Sequence, residues 1–207
     1  MVVSSKAYFD QVAQQWDTMR QSLFAEPVRE RAYAMAGVQA GKTAVDVGAG
    51  TGFIAEGLVA RGVHVIAIDQ SEAMLAEMQK RFGAAIDYRL GGADALPVQD
   101  ESVDYAFANM YLHHVDEPPR AIKEMARMLR PGGKLVITDL DEHAFEFLRT
   151  EQFDRWMGFE REDIERWFRA AGLKNVMVDC VGENCCTDSK SGAEHASVSI
   201  FIASGEK

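Results

Sequence analysis

The residues best placed to do chemistry form one short run, Val45-Asp46-Val47-Gly48-Ala49-Gly50-Thr51-Gly52-Phe53. Glycines at alternate positions permit a tight turn and let a ligand approach the backbone closely. The run follows a β-branched stretch and opens a helical pattern, so exposed N–H groups and a partial positive charge face the ligand. A dinucleotide fingerprint spaces its glycines as G-x-G-x-x-G. Here the glycines are 48, 50 and 52, and Phe53 holds the third dinucleotide position, which weakens a pyrophosphate reading. Asp69 ends the next β-branched run, 21 residues after Gly48, where an acid can accept hydrogen bonds from a ribose diol. A plain glycine turn with a helix-capping Asp is the bland alternative. The two pieces in register point to a nucleoside-type ligand.

A second set of reactive groups is looser. His113 and His114 are adjacent, and an imidazole of ordinary pKa near 6.5 can serve as a base around neutrality; His114 is the catalytic candidate, packing or capping its alternative. Tyr8, Phe9 and Trp16 lie on one stripe near the N-terminus, and Trp156 sits in an aromatic, charged segment, 141–159. Cys180, Cys185 and Cys186 fall within seven residues. They read as one buried thiol with two incidental ones, as a redox-sensitive pair, as a zinc site with His195, or as a holder for a thiophilic acceptor. The C-x-x-C spacing of structural zinc is missing, so no metal is assigned.

These residues need elements to hold them. β-Branched runs at 43–47, 63–68, 85–90, 103–108, 134–138, 175–181 and 197–203 predict strands. Apolar spacings of three and four predict helices around Leu75, Met78 and Phe82, around Ile122, Met125 and Leu129, and around Ile164, Phe168 and Ala171. The alternation argues for an α/β fold with a mainly parallel sheet and helices on both faces. About fifteen residues without a helical stripe separate the last two strands, so that pair is predicted antiparallel. Two helices, 6–19 and 27–37, precede the sheet.

The chain has 207 residues, 47% hydrophobic and 26% charged, which fits one globular domain. It is expected to divide into an N-terminal helical part (1–42), a ligand-binding core (43–140) and closing helices with a C-terminal hairpin (141–207). A net charge of −10 disfavours nucleic acid as a partner. No apolar stretch approaches the length of a membrane span, and the first residues lack a secretory pattern. With three cysteines and no export signal, a reduced, cytoplasmic setting is expected.

Four segments together resemble one family. These are 45–53, Asp69-Gln70-Ser71, the run Asp104-Tyr-Ala-Phe-Ala-Asn-Met-Tyr-Leu-His-His-Val115, and Arg130-Pro131-Gly132-Gly133-Lys134-Leu135. In that order they resemble class I S-adenosylmethionine-dependent methyltransferases of the type 11 group, which includes quinone-biosynthesis enzymes and, more distantly, arsenite methyltransferases. The resemblance implies a Rossmann-like seven-stranded sheet of order 3-2-1-4-5-7-6 with the seventh strand antiparallel. It implies S-adenosylmethionine as donor and S-adenosylhomocysteine as product. Asp46, Gly48, Ala49, Gly50, Asp69, Gln70, Met74, Ala93, Asp94, Asn109 and Met110 would hold the donor. Gly92 stands where the family often has an adenine-binding Asp, so Asp94 or backbone near Ala93 would take that contact. Tyr8, Trp16, Trp156, Cys185 and Cys186 would lie on the side of a small-molecule acceptor. The cysteines are distributed differently from those of arsenite methyltransferases. A non-catalytic donor- or metalloid-binding protein and an NAD-linked oxidoreductase are the alternatives.

Overall fold

A computed structural model describes residues 5–93 and 95–207. Three helices come first: α1 (Ser5–Val12), α2 (Trp16–Met19) and α3 (Glu26–Ala36). The helix predicted over 6–19 is therefore two, separated by a turn at 13–15. Pro27 sits in the first turn of α3, where its missing N–H costs nothing, and Gly37 ends that helix in the left-handed conformation at φ 65°. The sheet and its crossover helices follow as β1 (Thr43–Val47), α4 (Phe53–Ala60), β2 (His64–Asp69), α5 (Glu72–Phe82), β3 (Ile86–Leu90), β4 (Val103–Asn109), α6 (Pro118–Met128) and β5 (Leu129–Leu140). The chain closes with α7 (Glu146–Glu151), α8 (Arg161–Ala170), β6 (Lys174–Asp188) and β7 (His195–Glu206).

The seven strands pair in the order β3-β2-β1-β4-β5-β7-β6. β7 runs antiparallel to both neighbours, and the other pairings are parallel. Alternate strand residues face opposite layers, as a two-residue period requires. Ala44, Tyr105, Phe107, Val136 and Ile202 pack with α3 and α4 in one core, against Val28, Tyr33 and Leu58. Val45, Ala106, Leu135, Ile137 and Phe201 pack on the other, against Ile122 and Met125 of α6 and Phe168 of α8. No helix among the described residues is long and apolar enough to cross a membrane.

The last hairpin is longer than the sequence pattern predicts. β6 continues to Asp188 and β7 begins at His195, joined by a turn at 189–194. Cys185 pairs with Val198 and Cys186 with Ser197, so both cysteines are strand residues rather than loop residues. Cross-strand bonds, such as Asn184 Nδ2 donating to Ser197 Oγ at 2.9 Å, extend the ladder through a polar stretch that has no apolar pattern to announce it.

Candidate active site

The carboxyl ends of β1, β2 and β4 open into a cavity of about 300 Å³. β1 delivers the chain into a loop in which Gly48, Gly50 and Gly52 have φ of 68°, 53° and 98°. L side chains rarely adopt such values. At Gly48 a Cβ would also fall 2.2 Å from the Tyr111 ring, so the loop and the segment after β4 touch only because glycine is there. Asp46, buried beneath the loop, accepts the Ala55 N–H at 3.1 Å, bracing the first turn of α4. Burial outweighs that bond and pushes the Asp46 carboxyl up to about 7.

Asp69 ends β2 at the cavity rim. Its Oδ2 accepts the Gly50 N–H and its Oδ1 the Ser71 N–H, both at 2.8 Å. Each oxygen keeps a further lone pair for a ligand hydroxyl. Burial raises its pKa, and the Ser71, Gly50 and Gln70 amides oppose that shift. β4 contributes Asn109, whose Oδ1 accepts from Thr138 Oγ1 at 2.8 Å, and Met110, held at φ 50°. The Met110 N–H is tied to the Thr138 carbonyl at 2.8 Å, so this strained residue is fixed at the cavity wall.

Of the eleven residues expected at the donor, Asp46, Gly48, Ala49, Gly50, Asp69, Gln70, Met74, Ala93, Asn109 and Met110 all line this cavity. Asp94 lies outside the described residues. Trp16 and His114 line it as well. Phe24 and Tyr111 also face it, and no pattern in the sequence singled them out for a site. Tyr8 and Trp156 are not on its wall. The Tyr8 hydroxyl donates to Gln152 Oε1 at 3.0 Å and its ring packs on Phe153; the Trp156 indole donates to the Val115 carbonyl at 2.9 Å. Both support the segments that carry lining residues.

A smaller chamber of about 50 Å³ adjoins the first and shares Phe9, Trp16, Phe24, Met110 and His114 with it. Cys185 lines this chamber, and burial pushes its thiol up to about 12. Its neighbour Cys186 points to the opposite face of β6, where Sγ lies 3.5 Å from Ser197 Oγ. The two thiols expected on the acceptor side therefore do not converge. His195 pairs with Asp188 at 2.8 Å on the exposed end of the hairpin, separate from the buried thiol.

Two carboxylates that sequence reasoning missed surround the histidine pair. His113 Nδ1 lies 2.6 Å from Asp139 Oδ1, and Nε2 lies 3.7 Å from Asp154 Oδ1. Burial opposes a charge on His113, but the facing carboxylates outweigh it and raise this imidazole to about 9. Burial lifts Asp154 to about 6. For His114, burial and the neighbouring His113 both act downward, holding it well below the usual imidazole range. His114 Nδ1 faces the Phe153 carbonyl at 3.4 Å. A carbonyl only accepts, so this nitrogen carries the ring hydrogen and Nε2 keeps its lone pair.

A glycine loop, an acid at the end of the second strand and a cavity at the carboxyl ends of a 3-2-1-4-5-7-6 sheet define a Rossmann-like α/β protein with a nucleoside-sized site. A family described as a methyltransferase domain matches residues 45–137. A demethylmenaquinone methyltransferase of Renibacterium salmoninarum is 37% identical over 147 residues, covering 70% of this chain and 62% of that one. Another, from Clavibacter sepedonicus, is 30% identical over 168 residues, covering 66% of this chain and 67% of that one. Phosphoethanolamine N-methyltransferase 2 of Haemonchus contortus, solved with phosphomonomethylethanolamine and S-adenosylhomocysteine, superposes with a TM-score of 0.81 at 17% identity, over 100% of this chain and 60% of that one. The chain belongs to the class I S-adenosylmethionine-dependent methyltransferases. It spans just under two thirds of the first relative's length. Membership sets aside the NAD-linked reading.

Proposed function

We propose that this protein transfers a methyl group from S-adenosylmethionine to a small, largely apolar acceptor. The observation that carries the proposal is the 300 Å³ cavity over the glycine loop, with Asp69 at its rim and a second, mostly apolar chamber opening beside it. The donor set suits the cofactor. Asp69 has lone pairs for two ribose hydroxyls, and the loop around Gly48 and Gly50 admits a ligand where a Cβ would crowd the site. Asn109, Met110 and buried Asp46 would flank the amino-acid part, and Ala93 the base, with Gln70 and Met74 beside the nucleoside. When bound, the cofactor supplies an electrophilic methyl group on a positively charged sulfur.

The remaining work falls to the chain. In-line displacement gains most of its rate from orientation, so the walls must align two molecules and exclude water. Phe9, Trp16 and Phe24 form a wall common to both cavities. His114, also common to both, stays neutral because burial and His113 depress its pKa. A neutral ring there avoids repelling the sulfonium and leaves a lone pair at Nε2 for an acceptor hydrogen. A thiophilic acceptor gripped by Cys185 and Cys186 is not part of this reading, since their thiols lie on opposite faces of β6.

The test is calorimetric titration with S-adenosylhomocysteine, then transfer of labelled methyl to a panel of small quinones, phenols, amines and carboxylates. Micromolar binding with turnover of a panel member supports the proposal. Binding without turnover on any class of acceptor favours a non-catalytic donor-binding protein. Absence of binding sinks the site assignment.

A further inference from the structure

We infer that His113, His114 and Asp154 form a binding site for a divalent transition-metal ion in the wall of the smaller chamber. One ligand atom from each of the three lies within 4.8 Å of the others. His113 and Asp154 are each 4% exposed, so these are not casual surface groups. The 3.7 Å between His113 Nε2 and Asp154 Oδ1 is too long for a hydrogen bond. It is close to the spacing of two ligands on one ion, since bonds of ~2.1 Å at tetrahedral or wider angles put ligand atoms roughly 3.4–3.7 Å apart.

Both imidazoles are oriented as ligands. In each, Nδ1 faces an oxygen: Asp139 for His113 at 2.6 Å, the Phe153 carbonyl for His114 at 3.4 Å. That leaves Nε2 of each ring for a metal, and an outer carboxylate fixing a ligand histidine is the usual device of such sites. Asp139 is itself held, accepting the Leu112 N–H at 2.7 Å and the Leu140 N–H at 2.8 Å. Asp139 and Asp154 hold a proton on His113; metal binding at Nε2 would release that proton to solvent, and the two carboxylates would then face the dication instead.

The donor set chooses the metal. Two imidazoles and one carboxylate suit Zn²⁺, Co²⁺ or Fe²⁺, whereas Mg²⁺ and Ca²⁺ take oxygen-rich shells. Three protein ligands leave a position open towards the chamber, the arrangement of reactive rather than structural sites. The ion would hold an oxygen or nitrogen of whatever occupies that chamber. Cys185 lines the chamber outside the three-atom group. A metal on His114 Nε2 and the uptake of an acceptor hydrogen by that nitrogen exclude each other, so the metal-bound form is a separate state of the site, and its titration needs no methyl donor.

The experiment is titration of the metal-stripped full chain with Co²⁺, followed by visible absorption, and with Zn²⁺ in competition. The expected result is one equivalent of Co²⁺ with the d–d bands of a four- or five-coordinate site, displaced by one Zn²⁺. Asp154→Asn and His114→Ala should each weaken binding at least about tenfold, and Asp139→Asn by roughly 10–100-fold through loss of ligand orientation. His195→Ala, which alters only the exposed His–Asp pair, should leave the affinity unchanged. Circular dichroism and thermal unfolding identify any variant that fails to fold; one folded variant of the three suffices to decide. No stoichiometric binding, or binding that survives Asp154→Asn and His114→Ala in folded protein, overturns the site and leaves a metal-free ion-pair network.

Discussion

Asp69 ties the glycine loop to the start of α5 through a single carboxylate at the cavity rim. It fixes the loop through Gly50 and the start of α5 through Ser71, while presenting lone pairs outward. Hydrogen bonds to a charged group contribute ~1.5–3 kcal/mol. Asp69→Ala should therefore weaken S-adenosylhomocysteine binding by roughly 10–100-fold in calorimetry; an unchanged affinity would refute the role given to this residue. Asp46 makes a different test. Its pKa is raised to about 7 in the folded chain, so folded protein holds this proton between the ordinary carboxylate range and about 7 when unfolded protein has lost it. Stability must then fall as pH rises through that window, by up to ~1.4 kcal/mol per pH unit. Asp46→Asn keeps an oxygen for the Ala55 N–H but cannot ionise. Urea unfolding at pH 5 and pH 8 should show the variant gaining stability relative to the parent at the higher pH. An equal loss in both proteins would remove Asp46 as the source. Both acids are legible in the sequence because their spacing from the glycine run is local. Asp139 and Asp154 are not, since each meets His113 only through the folding of β5 and of the segment after α7.

At the scale of elements, Ser71 joins α1 to α5 through one hydroxyl. Its hydroxyl caps α5 by accepting the Met74 N–H at 3.1 Å and donates to Asp10 of α1 at 2.6 Å. Ser71→Ala should cost about 1 kcal/mol as a lost cap. It should also speed proteolytic cleavage within α1; unchanged stability and unchanged cleavage would show that α1 is held by other contacts. A tighter join links α3 to α4. A Cβ at Gly57 would fall 2.5 Å from the Tyr33 hydroxyl, which is already committed to the Ile54 carbonyl. Gly57→Ala should destabilise by roughly 1–3 kcal/mol through overpacking; a loss below about 0.5 kcal/mol in urea unfolding would mean that Tyr33 moves aside freely. Strand order and the antiparallel hairpin follow from alternation and connection length, which sequence displays. The ends of β6 and β7 do not, because pairing shifts register after Cys180, resumes at Asn184 and runs to Asp188 without an apolar signal. That extension turns two adjacent cysteines into residues of opposite faces.

In the whole molecule, the sheet separates two cores while its carboxyl edge gathers the cavity from β1, β2 and β4 together with residues of α1 and α2. The larger cavity and the smaller chamber share Phe9, Trp16, Phe24, Met110 and His114 in their walls. A ligand that binds only the folded chain ties occupancy to global stability. A ligand at a hundredfold excess over its dissociation constant adds ~2.7 kcal/mol to the folded state. For a chain of 207 residues each kcal/mol raises Tm by roughly 2–4 °C, so S-adenosylhomocysteine should raise it by about 5–11 °C. Asp69→Ala at the same concentration, bound 10–100-fold more weakly, should show about half that rise or less. Comparing the two shifts separates a site that stabilises through Asp69 from adventitious binding elsewhere: equal shifts in parent and variant would place the ligand away from the glycine loop.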